Sequence, residues 1–199
     1  MSKAVLFDLD GVLVDACDWH YKALNKALHE IAGYEISRQD HEAIYNGLPT
    51  KVKLKALAKE GFIKESQIQD ISNLKQNVTI EVIGEFCKED ISKINLIANL
   101  KDRGYKVGCV TNSIRKTAYL MLKQCGILDM LDVVITNEDV TNAKPHPEGY
   151  IKAMTTLKVK PQHTIIVEDS PKGLQAAERS GATVLEVANA TEVNIKLKI

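Results

Sequence analysis

One stretch constrains the fold of this chain more than any other: Lys3–Asp15, with the sequence KAVLFDLDGVLVD. Its apolar residues 4–7 predict a buried strand, which ends by presenting two carboxylates, Asp8 and Asp10, before a turn at Gly11. Residues two apart on a strand point to the same side, so these acids repel each other unless a cation or a shared proton offsets the charge. Asp-Gly is also ordinary turn chemistry, so this run alone leaves open a strand that simply ends in solvent.

Helical and strand-like patterns divide the rest of the chain. Between residues 16 and 90 apolar residues recur at helical spacing, and no strand-like alternation occurs. From residue 91 onward, strand patterns alternate with helical ones, which predicts a doubly wound, Rossmann-like parallel α/β sheet with right-handed crossovers. We therefore expect an α/β core domain of residues 1–15 and 91–199, with an all-helical domain of residues 16–90 inserted after the first strand.

The element boundaries follow from the same patterns. The predicted strands cover residues 3–9, 106–110, 133–135, 164–167 and 183–187. The predicted helices cover residues 19–32, 38–45, 50–59, 65–86, 96–103, 114–125, 147–157 and 171–180. The tail, residues 189–199, fits either a last strand or a loose end.

Composition narrows the class of function. The 26 basic and 26 acidic residues balance, which does not support a global basic surface for nucleic acid, and aromatic residues are too few for base-stacking platforms. No apolar run reaches the length of a bilayer span, and the first residues resemble a strand rather than a signal segment. The cysteines lack metal-binding spacing, which favours buried free thiols in a reducing compartment: Cys17, Cys87, Cys109 and Cys125. We expect a cytoplasmic protein without nucleic-acid or membrane partners; its oligomeric state is left open.

Polar residues follow three of the predicted strands at the point where each strand ends. They are Asp8 and Asp10 after the first, Thr111, Asn112 and Ser113 after the second, and Glu168 and Asp169 after the strand 164–167. In open parallel sheets, ligands bind beyond the carboxyl ends of the strands. We therefore expect these groups to converge on one crevice.

Four motifs, in this order, resemble the haloacid dehalogenase superfamily of phosphotransferases: DLDGVLVD, VTNS, AKPHPEGY and IIVEDSPKG. The inserted helices resemble the small helical cap of that superfamily, and the resemblance covers nearly the whole chain. It implies a Mg²⁺-dependent phosphatase that hydrolyses a small phosphorylated metabolite, such as a sugar phosphate, through an aspartyl-phosphate intermediate.

The resemblance implies a role for each matching core residue. Asp8 would be the nucleophile, and Asp10 would act as general acid and then as base. Thr111 would hydrogen-bond the transferring phosphoryl group, helped by the backbone amides of Asn112 and Ser113. Lys144 would be a further cation of the site. The ligands of Mg²⁺ would be Asp8, Asp10, Glu168 and Asp169, and of the last two Asp169 would be the more direct ligand.

In the helical domain the expected substrate contacts are His20, Thr50 and Lys51. A histidine at the place of His20 contacts the acid/base aspartate in relatives with mutase activity, but a surface or hinge histidine fits equally well. Thr50 lies in a stretch that resembles the superfamily's substrate-specificity loop, and Lys51 is the best candidate among neighbouring lysines for an anionic group. A solvated helix face is the ordinary alternative for such lysines.

Other functions stay open at this point. A β-phosphoglucomutase-like sugar phosphomutase is the nearest, although Thr50 stands where such mutases use an arginine, which favours hydrolysis. A phospho-accepting signalling domain and a catalytically silent scaffold are the non-enzymatic alternatives. Glu168 and Asp169 could also belong to a helix N-cap cluster. A separate difference lies where the chain returns from the helical domain to the core: relatives usually carry a Pro-Gly pair there, and residues 88–92 lack it.

Overall fold

Within residues 2–45 and 47–199, which the computed structural model describes, five parallel strands form one sheet. They are β1 (Lys3–Phe7), β2 (Tyr105–Val110), β3 (Val133–Ile135), β4 (Thr164–Glu168) and β5 (Thr183–Glu186). Their order is β3-β2-β1-β4-β5, so β1 is the central strand and pairs with β2 and β4. The predicted doubly wound parallel α/β fold is confirmed.

Helices account for most of the remaining chain. They are α1 (Cys17–Ala32), α2 (Arg38–Asp40), α3 (Thr50–Lys59), α4 (Ile68–Phe86), α5 (Ile91–Asp102), α6 (Arg115–Gln124), α7 (Glu148–Leu157) and α8 (Pro171–Arg179). The segment His41–Tyr45 continues α2 as a π-helical turn, and Glu65–Gln67 precedes α4 as a 3₁₀ turn. Among the described residues, no helix is both long and apolar enough to cross a membrane.

The chain divides into two compact units, Ala16–Phe86 on the one hand and Met1–Asp15 with Cys87–Ile199 on the other. In the first, the helical unit, residues from α1, α3 and α4 share a core that includes Leu28, Leu57 and Ile71. In the second, the α/β unit, the central strand is apolar along its length, and Ala4–Phe7 are fully buried. Such an uninterrupted apolar run is typical of a parallel strand that is covered on both faces.

Several element boundaries differ from the prediction, most of them by one or two residues and that of α5 by five. Helix α5 begins at Ile91, not at residue 96, because the side chain of Asp90 accepts a hydrogen bond from the backbone N–H of Lys93 at 3.1 Å and caps the helix. The N-terminal strand ends at Phe7 rather than at residue 9. In the tail, which the sequence left ambiguous, the structure has a 3₁₀ turn at Ala190–Glu192.

Gly108 in β2 illustrates how closely the strands pack. A Cβ atom built there would lie 2.6 Å from Val133 Cγ1 and 2.9 Å from Leu6 Cδ2, on the two neighbouring strands. Gly84 in α4 is the opposite case, because nothing lies within 4 Å of its built Cβ.

We expect Gly108→Ala to lower the free energy of unfolding by roughly 1–3 kcal/mol, because overpacking forces the neighbouring strands apart. Gly84→Ala is the matched control and should raise the free energy of unfolding by about 0.5–1 kcal/mol, since alanine is the better helix former. Thermal unfolding followed by circular dichroism measures the Tm of both variants, and a change of 1 kcal/mol shifts Tm by roughly 2–4 °C. Equal melting temperatures for the two variants would contradict the packing described for β2.

Candidate active site

A tight loop after β1 places the first two acids. The backbone N–H of Asp8 still donates to the carbonyl of Val167 at 3.0 Å, so Asp8 stays attached to β4 beyond the end of its own strand. The chain then turns so sharply that the carbonyl of Leu9 accepts the N–H groups of Leu13 and Val14 at 3.0 and 2.9 Å. Gly11 has a φ of 93°, a conformation that a side chain would disfavour.

The loop after β2 turns two hydroxyl groups towards Asp10. Ser113 Oγ donates to Asp10 Oδ2 at 2.7 Å, and Thr111 Oγ1 lies 3.4 Å from the same oxygen. The side chains of Asn112 and Ser113 do not cap the following helix, because Ile114 holds its N-cap position without a side-chain bond. The hydroxyls face the acid after β1 instead.

Asn112 fixes the backbone of Lys144 through a pair of hydrogen bonds. Its side-chain oxygen accepts the N–H of Lys144 at 3.0 Å, and its side-chain nitrogen donates to the carbonyl of Lys144 at 3.1 Å. The peptide bond between Lys144 and Pro145 is cis. Asn112 therefore contributes its side chain to holding the lysine, a role that the resemblance did not suggest.

The ammonium group of Lys144 links the ends of β1 and β4. Its Nζ donates to Asp8 Oδ1 at 2.6 Å and also to Glu168 Oε1, and the residue is only 6% exposed. A buried charge is costly unless it is paired and hydrogen-bonded. Lys144 is thus held where its charge acts directly on the carboxylate of Asp8.

Glu168 is enclosed by hydrogen-bond donors. Its Oε1 also accepts from Tyr150 Oη at 2.8 Å, and its Oε2 accepts from the N–H of Asp169 at 3.1 Å and from Ser170 Oγ at 3.2 Å. Because a Cβ at Gly173 would lie 1.9 Å from Oε1, the first turn of α8 must carry glycine there. Glu168 is therefore held in place by Tyr150, by the loop that precedes α8 and by Lys144.

Sequence reasoning missed Tyr150 and Gly173, although both lie in the motifs that it quoted. Each lies in the helix that follows a predicted functional residue. In a helix, an aromatic residue usually indicates core packing, and a glycine indicates little about function. Only the fold shows that they contact the same carboxylate. The serine that precedes α8, Ser170, caps that helix by accepting the N–H of Gly173 at 3.1 Å.

The acidic cluster fits a divalent cation. Carboxylate oxygens of Asp8, Glu168 and Asp169 all lie within 4.8 Å of one another. Asp169 Oδ1 is buried and has no hydrogen-bond partner among the residues that the structure describes, which leaves an oxygen ready for a metal. Oxygen donors of this kind suit Mg²⁺. The carboxylate of Asp10, which the resemblance also placed around the ion, is not among these clustered groups of the described residues.

The pKa values in the cluster show an excess of negative charge. Burial, and then the charge of Glu168, raise the pKa of Asp8 well above its usual value and that of Asp169 to about 7. Burial alone would lower the pKa of Lys144, but the carboxylates of Asp8 and Glu168 raise it well above normal. Three carboxylates thus compete for the charge of Lys144, and a cation would relieve their repulsion.

The helical unit gathers cationic side chains of its own. Lys75 Nζ lies 3.1 Å from His20 Nδ1, and Lys75 is buried, as is Lys53. His41 is also buried; burial, then Lys53 and Arg38, lower its pKa to about 4. The sequence analysis chose His20 from this group, together with two residues outside it: Thr50, which is half-buried at the start of α3, and the exposed Lys51.

Comparisons with known proteins agree with this architecture. The PpaX protein of Clostridium perfringens (strain 13 / Type A) is 31% identical over 92% of this chain and 82% of its own length. The pyrophosphatase PpaX of Bacillus mycoides (strain KBAB4) is 28% identical over 94% of this chain and 83% of its own. The crystal structure of β-phosphoglucomutase from Clostridium difficile is similar with a TM-score of 0.86 and 28% identity, over 100% of this chain and 94% of that one.

The family comparison covers almost the whole chain. A family model described as haloacid dehalogenase-like hydrolase matches residues 5–187, which include every core residue of the candidate site. The predicted superfamily and the prediction of a hydrolytic enzyme are confirmed. From its sequence and its fold together, this chain belongs to the haloacid dehalogenase-like hydrolases.

Proposed function

We propose that this protein is a Mg²⁺-dependent phosphatase that hydrolyses a small phosphorylated metabolite through an aspartyl-phosphate on Asp8. One observation carries the proposal: Lys144 bridges Asp8 and Glu168 beside Asp169, in a buried cluster at the ends of β1 and β4. Phosphoryl transfer of this kind requires a nucleophilic carboxylate, a fixed cation and a carboxylate oxygen that can bind a metal ion.

The chemistry follows from the position of each group. Asp8 would attack phosphorus in line with the leaving oxygen, and its carboxylate is oriented for this by Lys144 and by the backbone bond to Val167. When bound, Mg²⁺ supplies positive charge that offsets the charge on the phosphoryl oxygens. Lys144 would add to that stabilisation from the protein side.

Asp10 would move the protons in both halves of the reaction. It would protonate the leaving oxygen and then take a proton from the water that hydrolyses the aspartyl-phosphate. The hydrogen bonds from Ser113 and Thr111 support this assignment, because they hold one carboxylate oxygen of Asp10 at the ends of the strands. The two hydroxyls are also candidates for contacts with the phosphoryl group.

We further propose that the helical unit acts as the cap that selects the substrate, within the predicted domain of residues 16–90. His20, Thr50 and Lys51 remain the proposed substrate contacts. The resemblance of the inserted helices to the small helical cap of the superfamily supports this proposal.

Inorganic pyrophosphate is a second candidate substrate. The similarity to two PpaX proteins favours it, and it shares with phosphomonoesters a leaving group that an acid must protonate. A phosphomutase remains the alternative from the similarity to a β-phosphoglucomutase. Thr50 speaks against the mutase, since a threonine cannot grip a second phosphate as an arginine does.

A substrate panel tests the proposed function. The purified protein is incubated with sugar phosphates, phosphorylated acids, nucleotides and inorganic pyrophosphate, and released phosphate is measured with Mg²⁺ or with excess chelator. We expect release from at least one compound with Mg²⁺ and almost none with chelator. Interconversion of sugar 1- and 6-phosphates with little free phosphate would establish the mutase instead, and absence of turnover on every compound would overturn the proposal.

Asp8→Asn tests the nucleophile on the best substrate from that panel. We expect kcat to fall by at least 10³-fold, because an amide does not attack phosphorus as a carboxylate does. Asp129→Asn is the matched control, because Asp129 is exposed in a 3₁₀ turn of the same unit. The kcat of this variant should stay within about twofold of the wild-type value. Activity near the wild-type level in Asp8→Asn would rule out the aspartyl-phosphate route.

A further inference from the structure

Two buried thiols lie against each other in the α/β unit. Cys87 Sγ and Cys125 Sγ are 3.5 Å apart, and the two residues are only 3% and 4% exposed. Cys87 follows α4 directly and is the first residue with which the chain returns to the α/β unit. Cys125 ends α6. Neither thiol has a part in the proposed phosphatase reaction.

The backbone around the pair is held on both sides. Cys87 Sγ lies 3.7 Å from the carbonyl of Met121 in the last turn of α6. Three residues after Cys87, the N–H of Asp90 donates to the carbonyl of Cys125 at 3.2 Å. These two contacts join the segment that starts at Cys87 to the end of α6, which keeps the backbones of the two cysteines close together.

The separation of the sulfur atoms is small enough for a covalent bond. A disulfide requires about 2.05 Å between them, so they must approach by roughly 1.5 Å, which torsion changes at both side chains and a small backbone shift can supply. The two thiols also differ in acidity. The hydrogen bond with Cys125 lowers the pKa of Cys87, and the charge of Lys88 lowers it further, although burial acts in the opposite direction. The pKa of Cys125 is raised by the same hydrogen bond and by burial.

We propose that Cys87 and Cys125 form a redox-active dithiol, a modification site that hydrogen peroxide converts into an intramolecular disulfide. In the first step the thiolate of Cys87 attacks one peroxide oxygen; the O–O bond breaks, leaving a sulfenic acid on Cys87 and hydroxide that takes a proton to become water. In the second step Cys125 Sγ attacks Cys87 Sγ, the S–O bond breaks, and the released hydroxide takes the proton of Cys125. Two thiols are oxidised and one peroxide is reduced to two waters.

The disulfide would close a loop that contains α5, β2 and the segment Thr111–Ser113 of the candidate site. It would also attach the point where the chain leaves the helical unit to the end of α6. Oxidation therefore restrains one of the two crossings between the units, and it does so independently of the phosphatase chemistry. The expected consequence is a more stable α/β unit, because the cross-link limits the unfolded chain.

The experiment uses the full chain, fully reduced and then exposed to hydrogen peroxide. Titratable thiols in denaturant should fall from the four cysteines of the reduced chain to two, with an intact mass lower by two hydrogens and full recovery after dithiothreitol. Peptide mapping should join the peptides of Cys87 and Cys125, and Tm should rise by roughly 5–10 °C. Four remaining thiols, a link to another cysteine, or a link only between two chains would overturn the proposal.

Matched variants separate this pair from the other cysteines. Cys125→Ser should yield no disulfide and leave a sulfenic acid on Cys87 that dimedone traps, while Cys17→Ser should form the Cys87–Cys125 bond as the wild type does. Loss of the bond in Cys17→Ser, or its persistence in Cys125→Ser, would contradict the assignment. The measurement on the wild-type chain decides the question even where a serine variant folds poorly.

Discussion

The contact of Lys144 with both Asp8 and Glu168 is the interaction on which the rest of the site depends. It joins the carboxyl end of the central strand to that of its neighbour through a buried ammonium group. Removing one partner of such a buried pair typically costs about 3–5 kcal/mol, since the other charge stays uncompensated. The surrounding bonds from Asn112 and Tyr150 are best understood as the means of holding this lysine and its anchor in place.

The sheet order explains why residues so distant in sequence meet. The first strand lies at the centre, and the strands that flank it come from the second half of the chain. Asp8 therefore has the loop after β2 on one side, which supplies Thr111 and Ser113, and the loop after β4 on the other. The hydroxyls that bind the proposed acid and the carboxylate of Asp169 consequently come from strands on opposite sides of the proposed nucleophile.

The sequence carried the pattern of the fold but not the contacts that refine the site. Alternating strands and helices were enough to predict the parallel sheet and the acids at its edge. The role of Asn112 and the turn of Ser113 towards Asp10 were not predictable, because each depends on the distance between two loops. The glycine beneath Glu168 was not predictable either, because it depends on how closely the first turn of α8 packs against that carboxylate. The early start of α5 was missed for a local reason: Asp90 caps it before its apolar pattern becomes visible.

A crystal structure of the protein with Mg²⁺ and beryllium trifluoride, a mimic of the phosphoryl group, tests the central claim most directly. The account predicts the beryllium bound to a carboxylate oxygen of Asp8, Lys144 within hydrogen-bond distance of a fluoride, and Mg²⁺ coordinated by Asp8 and Asp169. Beryllium trifluoride on any other residue, or Mg²⁺ bound away from these two carboxylates, would contradict it.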